Sequence, residues 1–153
     1  CQIKIRNLGL NNLIITNVAL TLNLCKEAVI KERIKEHINH RKTSQPKNPS
    51  AGCIFKNLNI NNIKEQNKEI ASLLMDKKLV KNGKVGAGWL INNADLKIKQ
   101  MGKAKISDRH ANFIINLGGA TAHDVASLIS YIKQQIRDIT GIQLEEEIQY
   151  FGF

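Results

Sequence analysis

A mixed fold of strands and helices, α/β or α+β, is predicted by three features of this 153-residue sequence. Stretches with apolar residues at helical spacing alternate with short β-rich runs. Prolines and glycines punctuate the boundaries between them. The clearest helix, after Thr121, opens on a capping box and closes near a glycine. The length suits one domain that buries a core without staples.

Each element follows in order. The run LIITNVALTL at 13–22 is β-rich and partly alternating, so it reads as a strand. Residues 26–39 read as a helix, with Ile30, Ile34 and Ile38 on one face. The stretch 40–52 holds both prolines, Pro46 and Pro49, and reads as a loop. A short strand or turn is expected at 53–57. Residues 59–86 are polar and rich in Lys and Asn. They predict one amphipathic helix ending near Lys78, then a turn at Gly83. Residues 87–91 begin a packed helix that carries Trp89, and 103–106 and 112–116 read as strands, the second broken by Gly118-Gly119. Thr121 and Asp124 then form the capping box. Val125, Ile129, Ile132 and Ile136 make an apolar stripe, and Gly141 stands at the C′ position. Residues 142–144 are extended, and Glu145-Glu146-Glu147 precedes a final apolar strand at 148–151.

Composition narrows the classes of function. Net charge is +10, which suits an anionic partner, yet the lysines are scattered and accompany a general excess of Asn and Ile. Aromatic residues make up 5% and none interleaves with the basic ones, which argues against a platform for single-stranded nucleic acid. No apolar run approaches the ~20 residues of a membrane span, and no secretory signal opens the chain. Cys1, Cys25 and Cys53 offer neither a disulfide framework nor zinc spacing, and they suit a reducing compartment. His37 and His40 share a helix face without a third ligand nearby, so no metal site is expected.

Four features carry chemistry, each with a plainer alternative. In Pro49-Ser50-Ala51-Gly52-Cys53 the small residues admit a ligand close to the backbone, with Cys53 at the mouth; alternatively Cys53 is a small core residue. Lys56-Asn57 is a donor pair suited to phosphate or sugar, or plain surface. Gly118-Gly119-Ala120-Thr121 opens a helix as anion sites do, and as ordinary caps do. The acidic triplet at 145–147 either turns one carboxylate inward or is a solvated face.

These residues, in this order, resemble the UDP-N-acetylenolpyruvoylglucosamine reductase family. PSAGCIFKN at 49–57 is similar to the family's Pro-Ser-Ala-Gly-Ser/Cys-x-Phe-Lys-Asn signature. Arg41 and Gln45-Pro46 stand upstream of it. Downstream come Ala87-Gly88 with Leu90-Ile91, then Gly102, Ala104 and Ile106-Ser107, then His110-Ala111-Asn112-Phe113-Ile114 with Asn116. Ala120-Thr121-Ala122 with Asp124-Val125 follows, and Gly141-Ile142, Leu144, Glu147-Ile148 and Gly152 close the series. Near the start, 1–8 resembles a decayed Tyr-Arg-x-Ser segment that keeps Arg6.

The resemblance implies an α+β fold: a substrate-binding domain at 25–153, a small mixed sheet with packed helices, preceded at 1–24 by the end of a flavin-binding domain. It implies a cytoplasmic oxidoreductase of peptidoglycan precursor synthesis. NADPH reduces FAD, and the enolpyruvyl UDP-sugar is reduced to UDP-N-acetylmuramate. Cys53 takes the proton-donor position, and Glu147 and Arg6 the other catalytic positions. Arg41, Asn57 and Lys56 are implied to hold the UDP-sugar, and Ser50 and Gly52 to face the flavin. Several positions depart from the family's pattern. Ile5 and Leu8 stand for its Tyr and Ser, Leu58 for a proline, and Asp95 and Ile98 for glycines. Residues 59–86 exceed the usual connection and read as an insertion, with 59–84 dispensable for the fold. The chain is therefore read as a C-terminal portion, inactive without its flavin lobes. The competing reading is a non-catalytic basic module that binds nucleic acid or a protein, which requires none of Cys53, Asn57 and Glu147.

Overall fold

Strand β6 (Phe113–Asn116) is the hub on which the candidate site is built. It lies inside a four-stranded sheet ordered β1–β6–β5–β4, with β1 at Ser50–Cys53, β4 at Gln100–Met101 and β5 at Ala104–Ile106. All these pairings are antiparallel, with Ile106 opposite Ile114, Lys105 opposite Ile115 and Cys53 opposite Phe113. Phe113, Ile114 and Ile115 are all buried, so β6 is a central strand covered on both faces. A second sheet pairs β2 (Leu58–Asn59) with β3 (Lys84–Val85). In this computed structural model residues 16–152 are described, and the architecture is the α+β one expected. The chain divides into two units, 1–36 and 37–153.

In the first unit, residues 16–26 have no regular secondary structure and are exposed. The strand predicted at 13–22 is therefore not formed over 16–22, and 13–15 lie outside the described residues. Val18, Leu20, Leu22 and Leu24 alternate as a strand would, yet among the described residues no strand pairs with them. Helix α1 (Glu27–Ser44) follows, with a Glu27–Lys31 ion pair at 2.7 Å, and none of its residues is buried. Its last turns, in the second unit, outrun the predicted helix. Thr43 Oγ1 donates to the Asn39 and His40 carbonyls, and Ser44 Oγ to that of His40. Only Pro46 stops the helix, so the expected loop at 40–52 shrinks to 45–49.

The rest of the second unit has one core. Helix α5 (Ala122–Thr140) packs on β4 and β5 and touches α4 (Ala87–Asn93). Its Leu128, Ile129, Ile132 and Ile136 are essentially inaccessible, each stabilising by roughly 1.5–3 kcal/mol. The capping box is present: Asp124 N–H donates to Thr121 Oγ1, and Thr121 N–H to Asp124 Oδ2. The same Oδ2 accepts from Lys103 N–H. Gly102, at φ +53°, lies beneath that carboxylate, where a Cβ would sit 2.3 Å from its atoms. This glycine joins the β4–β5 turn to the start of α5.

The segment at 59–86 corrects two expectations. It forms two helices, α2 (Ile60–Gln66) and α3 (Lys68–Asp76), because Asn67 turns extended and its Oδ1 caps α3 by accepting from Ile70 N–H. It is also no surface appendage. Ile63, Ala71, Leu74 and Val85 join the main core, while Leu73 stays exposed. The expected turn is present at Asn82-Gly83, flanked by reciprocal hydrogen bonds between Lys81 and Lys84. The apolar strand expected at 148–151 does not form. Those residues lack regular structure and Phe151 is 98% exposed, with the one bridge of the terminal segment made earlier, at Glu146.

Candidate active site

Cys53 is delivered by a break in the β1–β6 pairing. Gly52 adopts φ +83° and the register shifts between Ser50 and Cys53, which re-aims the residue after the bulge. A Cβ at Gly52 would meet nothing within 4 Å, so the backbone beside Cys53 is open. Ser50 and Ala51 are exposed on the same edge.

Beyond Cys53 the chain is gripped from two sides. On one side is Asn112, 3% exposed: its carbonyl accepts from Ile54 N–H at 2.9 Å, and its side chain bonds both backbone groups of Phe55. On the other side lies the terminal segment. Lys56 N–H donates to Glu145 O at 2.8 Å, Glu147 N–H donates to Ile54 O at 2.7 Å, and Phe55 bridges Glu146. Cys53 and Glu147 thus come together across 94 residues of sequence, although Glu147 itself is exposed and the triplet's partly buried member is Glu146. Burial pushes the Cys53 thiol up, the Glu147 carboxylate pushes it the same way, and a hydrogen bond with the Asn112 side chain offsets part of the rise. A thiol so placed stays protonated at neutral pH and can give a proton.

The other predicted residues are spread more widely. Lys56 pairs with Glu145 at 3.1 Å on the surface. Asn57 is exposed, with its Oδ1 facing Gly86 at the start of α4. Arg41 is exposed on α1 and is not among the residues lining either of two clefts near the site. Arg6 lies outside the described residues.

A cleft of about 360 Å³ is lined by Gly86, which Asn57 Oδ1 faces, and by Ala111, which precedes Asn112 in the chain. Trp89 and Leu79 supply its apolar wall, and Asn92, Lys97, Arg109 and His110 its polar groups. Burial lowers the His110 pKa, its own backbone hydrogen bond opposes, and the Lys97 charge lowers it further. Its Nδ1 accepts from Asn112 N–H at 3.3 Å, which suits a neutral imidazole. Lys97 lies between Asp95 and Ile98, both at positive φ. Arg109 also lines a second recess of about 190 Å³ with Lys47 and Asp108, and its Nη1 donates to the Lys42 carbonyl at 3.1 Å.

Sequence reasoning missed Asn112, Asn92, Lys97 and Arg109. Asn112 stood inside a quoted motif, but its partner is 57 residues away. For Lys97 the available signal was the pair of non-glycine residues at positions where the family has glycine.

Comparison with known proteins identifies the family. The family profile described as "UDP-N-acetylenolpyruvoylglucosamine reductase, C-terminal domain" matches residues 45–151. UDP-N-acetylenolpyruvoylglucosamine reductase 2 of Symbiobacterium thermophilum is 32% identical over 91% of this chain and 38% of its own length. The reductase of Protochlamydia amoebophila is 36% identical over the same shares. The crystal structure of the reductase from Thermus caldophilus superimposes with a TM-score of 0.59 at 32% identity, over 84% of this chain and 37% of that one. The chain belongs to the UDP-N-acetylenolpyruvoylglucosamine reductase family and corresponds to its C-terminal domain. It spans about two fifths of the length of those relatives.

Proposed function

We propose that this chain is the substrate-binding part of a cytoplasmic, NADPH-dependent flavoenzyme of peptidoglycan precursor synthesis, one that reduces the enolpyruvyl ether of UDP-N-acetylglucosamine to UDP-N-acetylmuramate. Residues 25–153 form the substrate-binding domain, 1–24 the end of the flavin-binding domain, and 59–86 a segment longer than the family's usual connection. The observation that carries this reading is the placing of Cys53 and Glu147 on adjacent backbone, tied by the 2.7 Å bond from Glu147 N–H to Ile54 O.

FAD fits the Cys53 edge. The small residues Ser50 and Ala51 are exposed there, and the free space over Gly52 lets a flat ring approach the backbone. Bound there, FAD reduced by NADPH supplies the reducing equivalent to the β-carbon of the enolpyruvyl group. The α-carbon then needs a proton, and the Cys53 thiol stands ready to give it. A thiol is a much stronger acid than a serine hydroxyl, and the site keeps it protonated until it is used. Glu147 biases that proton transfer through its charge, and the family resemblance assigns Arg6 the role of catalytic cation. The diphosphate and sugar take the neighbouring cleft. Lys97 and Arg109 supply positive charge there, Asn92 an amide and Trp89 a flat apolar wall, with Asn57 Oδ1 beside Gly86 at its margin. Arg41 and Lys56 are assigned to the UDP-sugar by the resemblance, Lys56 with its charge balanced by Glu145.

The test joins residues 1–153 to the flavin-binding domain of a relative. NADPH oxidation that depends on the enolpyruvyl UDP-sugar is the expected result. Flavin reduction without substrate-dependent reoxidation would overturn the proposal.

A further inference from the structure

The terminal segment 145–147 runs antiparallel to 54–56, with Glu146 opposite Phe55. Alternation along an extended segment sends Glu145 and Glu147 to one side and Glu146 to the other. The contacts agree. Glu145 meets Lys56 at 3.1 Å, and Glu147 acts on Cys53. Glu146 turns the other way, onto α5, where its Oε1 accepts from Lys133 Nζ at 2.7 Å. Lys133 is next to Ile132 and within one turn of Ile129 and Ile136, all three fully buried, so its backbone is anchored in the core. Glu146 also shares a hydrogen bond with Tyr150. Residues 148–152 have no regular structure, and the side chains that hold this segment beside its two backbone bonds to 54–56 include Ile148, partly buried against the core, and Glu146.

We propose that Lys133 and Glu146 are positioning residues: their ion pair ties the segment bearing Glu147 to α5 and so holds the Glu147 carboxylate against the Cys53 loop. In the reductase reading, on which its functional meaning rests, α5 thereby sets the readiness of the proton donor. The electrostatics support a durable tie. Burial pushes the Glu146 carboxyl up, but the hydrogen bonds from Lys133 and Tyr150 and the Lys133 charge outweigh it and hold the group ionised. The Tyr150 hydroxyl, desolvated and bonded to Glu146, is pushed up to about 12 and remains a donor at neutral pH. Around Cys53 the charged groups are Glu147 and the mutually paired Lys56 and Glu145, with His110 behind Asn112 held neutral.

The experiment is the pH profile of Cys53 alkylation by iodoacetamide in the full chain carrying Cys1→Ser and Cys25→Ser. It needs neither flavin nor substrate, so its outcome is separate from that of the turnover test. Glu147→Gln removes a like charge, lowers the midpoint and speeds alkylation at pH 7.5 by roughly three- to fivefold. Lys133→Met and Glu146→Gln move the midpoint the same way, Lys133→Arg restores it, and Lys133→Met added to Glu147→Gln changes nothing further. All these variants alter partly exposed side chains, and cooperative melting verifies that each is folded. A parent-like profile for Lys133→Met and Glu146→Gln, beside a shifted Glu147→Gln, would overturn the proposal. So would a parent-like Glu147→Gln.

Discussion

The Asn112 carboxamide closes a two-bond ring on the backbone of Phe55: its Oδ1 accepts from Phe55 N–H and its Nδ2 donates to Phe55 O, each at 2.9 Å. A side chain here does what a neighbouring strand would do, for a segment that has just left the sheet. Removing it strands a buried donor and a buried acceptor, each worth about 1–3 kcal/mol. Asn112→Ala should lower Tm by about 5–10 °C, from the ~2–4 °C per kcal/mol expected at this chain length. Thermal unfolding followed by circular dichroism checks this, and an unchanged Tm would show that the loop is held by its other contacts.

Residues 59–84 should not be removable. Ile63, Ala71 and Leu74 are inaccessible members of the main core, so deleting the segment exposes the core residues they pack among. Bridging it with Gly/Ser should abolish the cooperative transition. Leu74→Ala should cost about 2–5 kcal/mol, whereas Leu73→Ala, at a 40% exposed position, should cost less than about 1 kcal/mol. Equal urea midpoints for the two variants would contradict the burial pattern.

That segment also shows how far the sequence was legible. Where local chemistry suffices, reading and structure agree: the Thr121 capping box, the α5 stripe, the Asn82-Gly83 turn and β6 are all specified within a few residues. Where a partner distant in sequence decides, they part. The alternation at 16–22 and 148–151 looks like strand but finds no neighbour to pair with among the described residues. Asn67 divides a stretch of helical spacing because its amide caps one helix and reaches the Thr140 carbonyl from the other end of the fold. At the site, the motifs that hold Cys53 and Glu147 were legible, and the fold brings the two segments together. The Asn112 grip and the Lys97–Arg109 cleft were not, since each is made by folding together segments that carry no local mark of it.

Ile98 is a β-branched residue at φ +61°, in a region that L residues enter at a cost of roughly 1–2 kcal/mol. Its side chain is 61% exposed, so little packing offsets that strain. Ile98→Gly should raise stability by about 0.5–1 kcal/mol, part of the relief being returned as unfolded-state entropy. A rise in the urea midpoint at constant m-value is the expected result; a fall would mean that Ile98 packs more than its exposure suggests.

Chain 1–153 by itself should not retain FAD. The match is to the family's C-terminal domain, over 38% of the relatives' length, and the candidate flavin face here is the open edge at Ser50–Gly52. Tight small-molecule sites bury about 70–90% of the ligand, which one strand edge does not do. After dialysis against excess FAD the protein should show no flavin absorbance. A stoichiometric yellow complex would place the cofactor site within these residues.

Cys53 should be the residue on which reoxidation of the reduced enzyme by substrate most depends. Cys53→Ala removes the proton donor with little change of volume. In the two-domain chimera, flavin reduction by NADPH should survive, because it draws no proton from this loop. Substrate-dependent reoxidation, followed by stopped-flow, should fall by the ~10²–10⁴-fold that general acid catalysis contributes. Cys53→Ser should keep much more of the rate, since a hydroxyl is still a donor, and Glu147→Gln should slow the second half-reaction and spare the first. Because burial and Glu147 both hold the thiol above its ordinary value, the alkaline fall in the rate should come only above the usual thiol range. Glu147→Gln removes one of those two causes and should shift that fall to lower pH. Reoxidation of Cys53→Ala at the parent rate would make Cys53 a packing residue and move the proton donor elsewhere in the site.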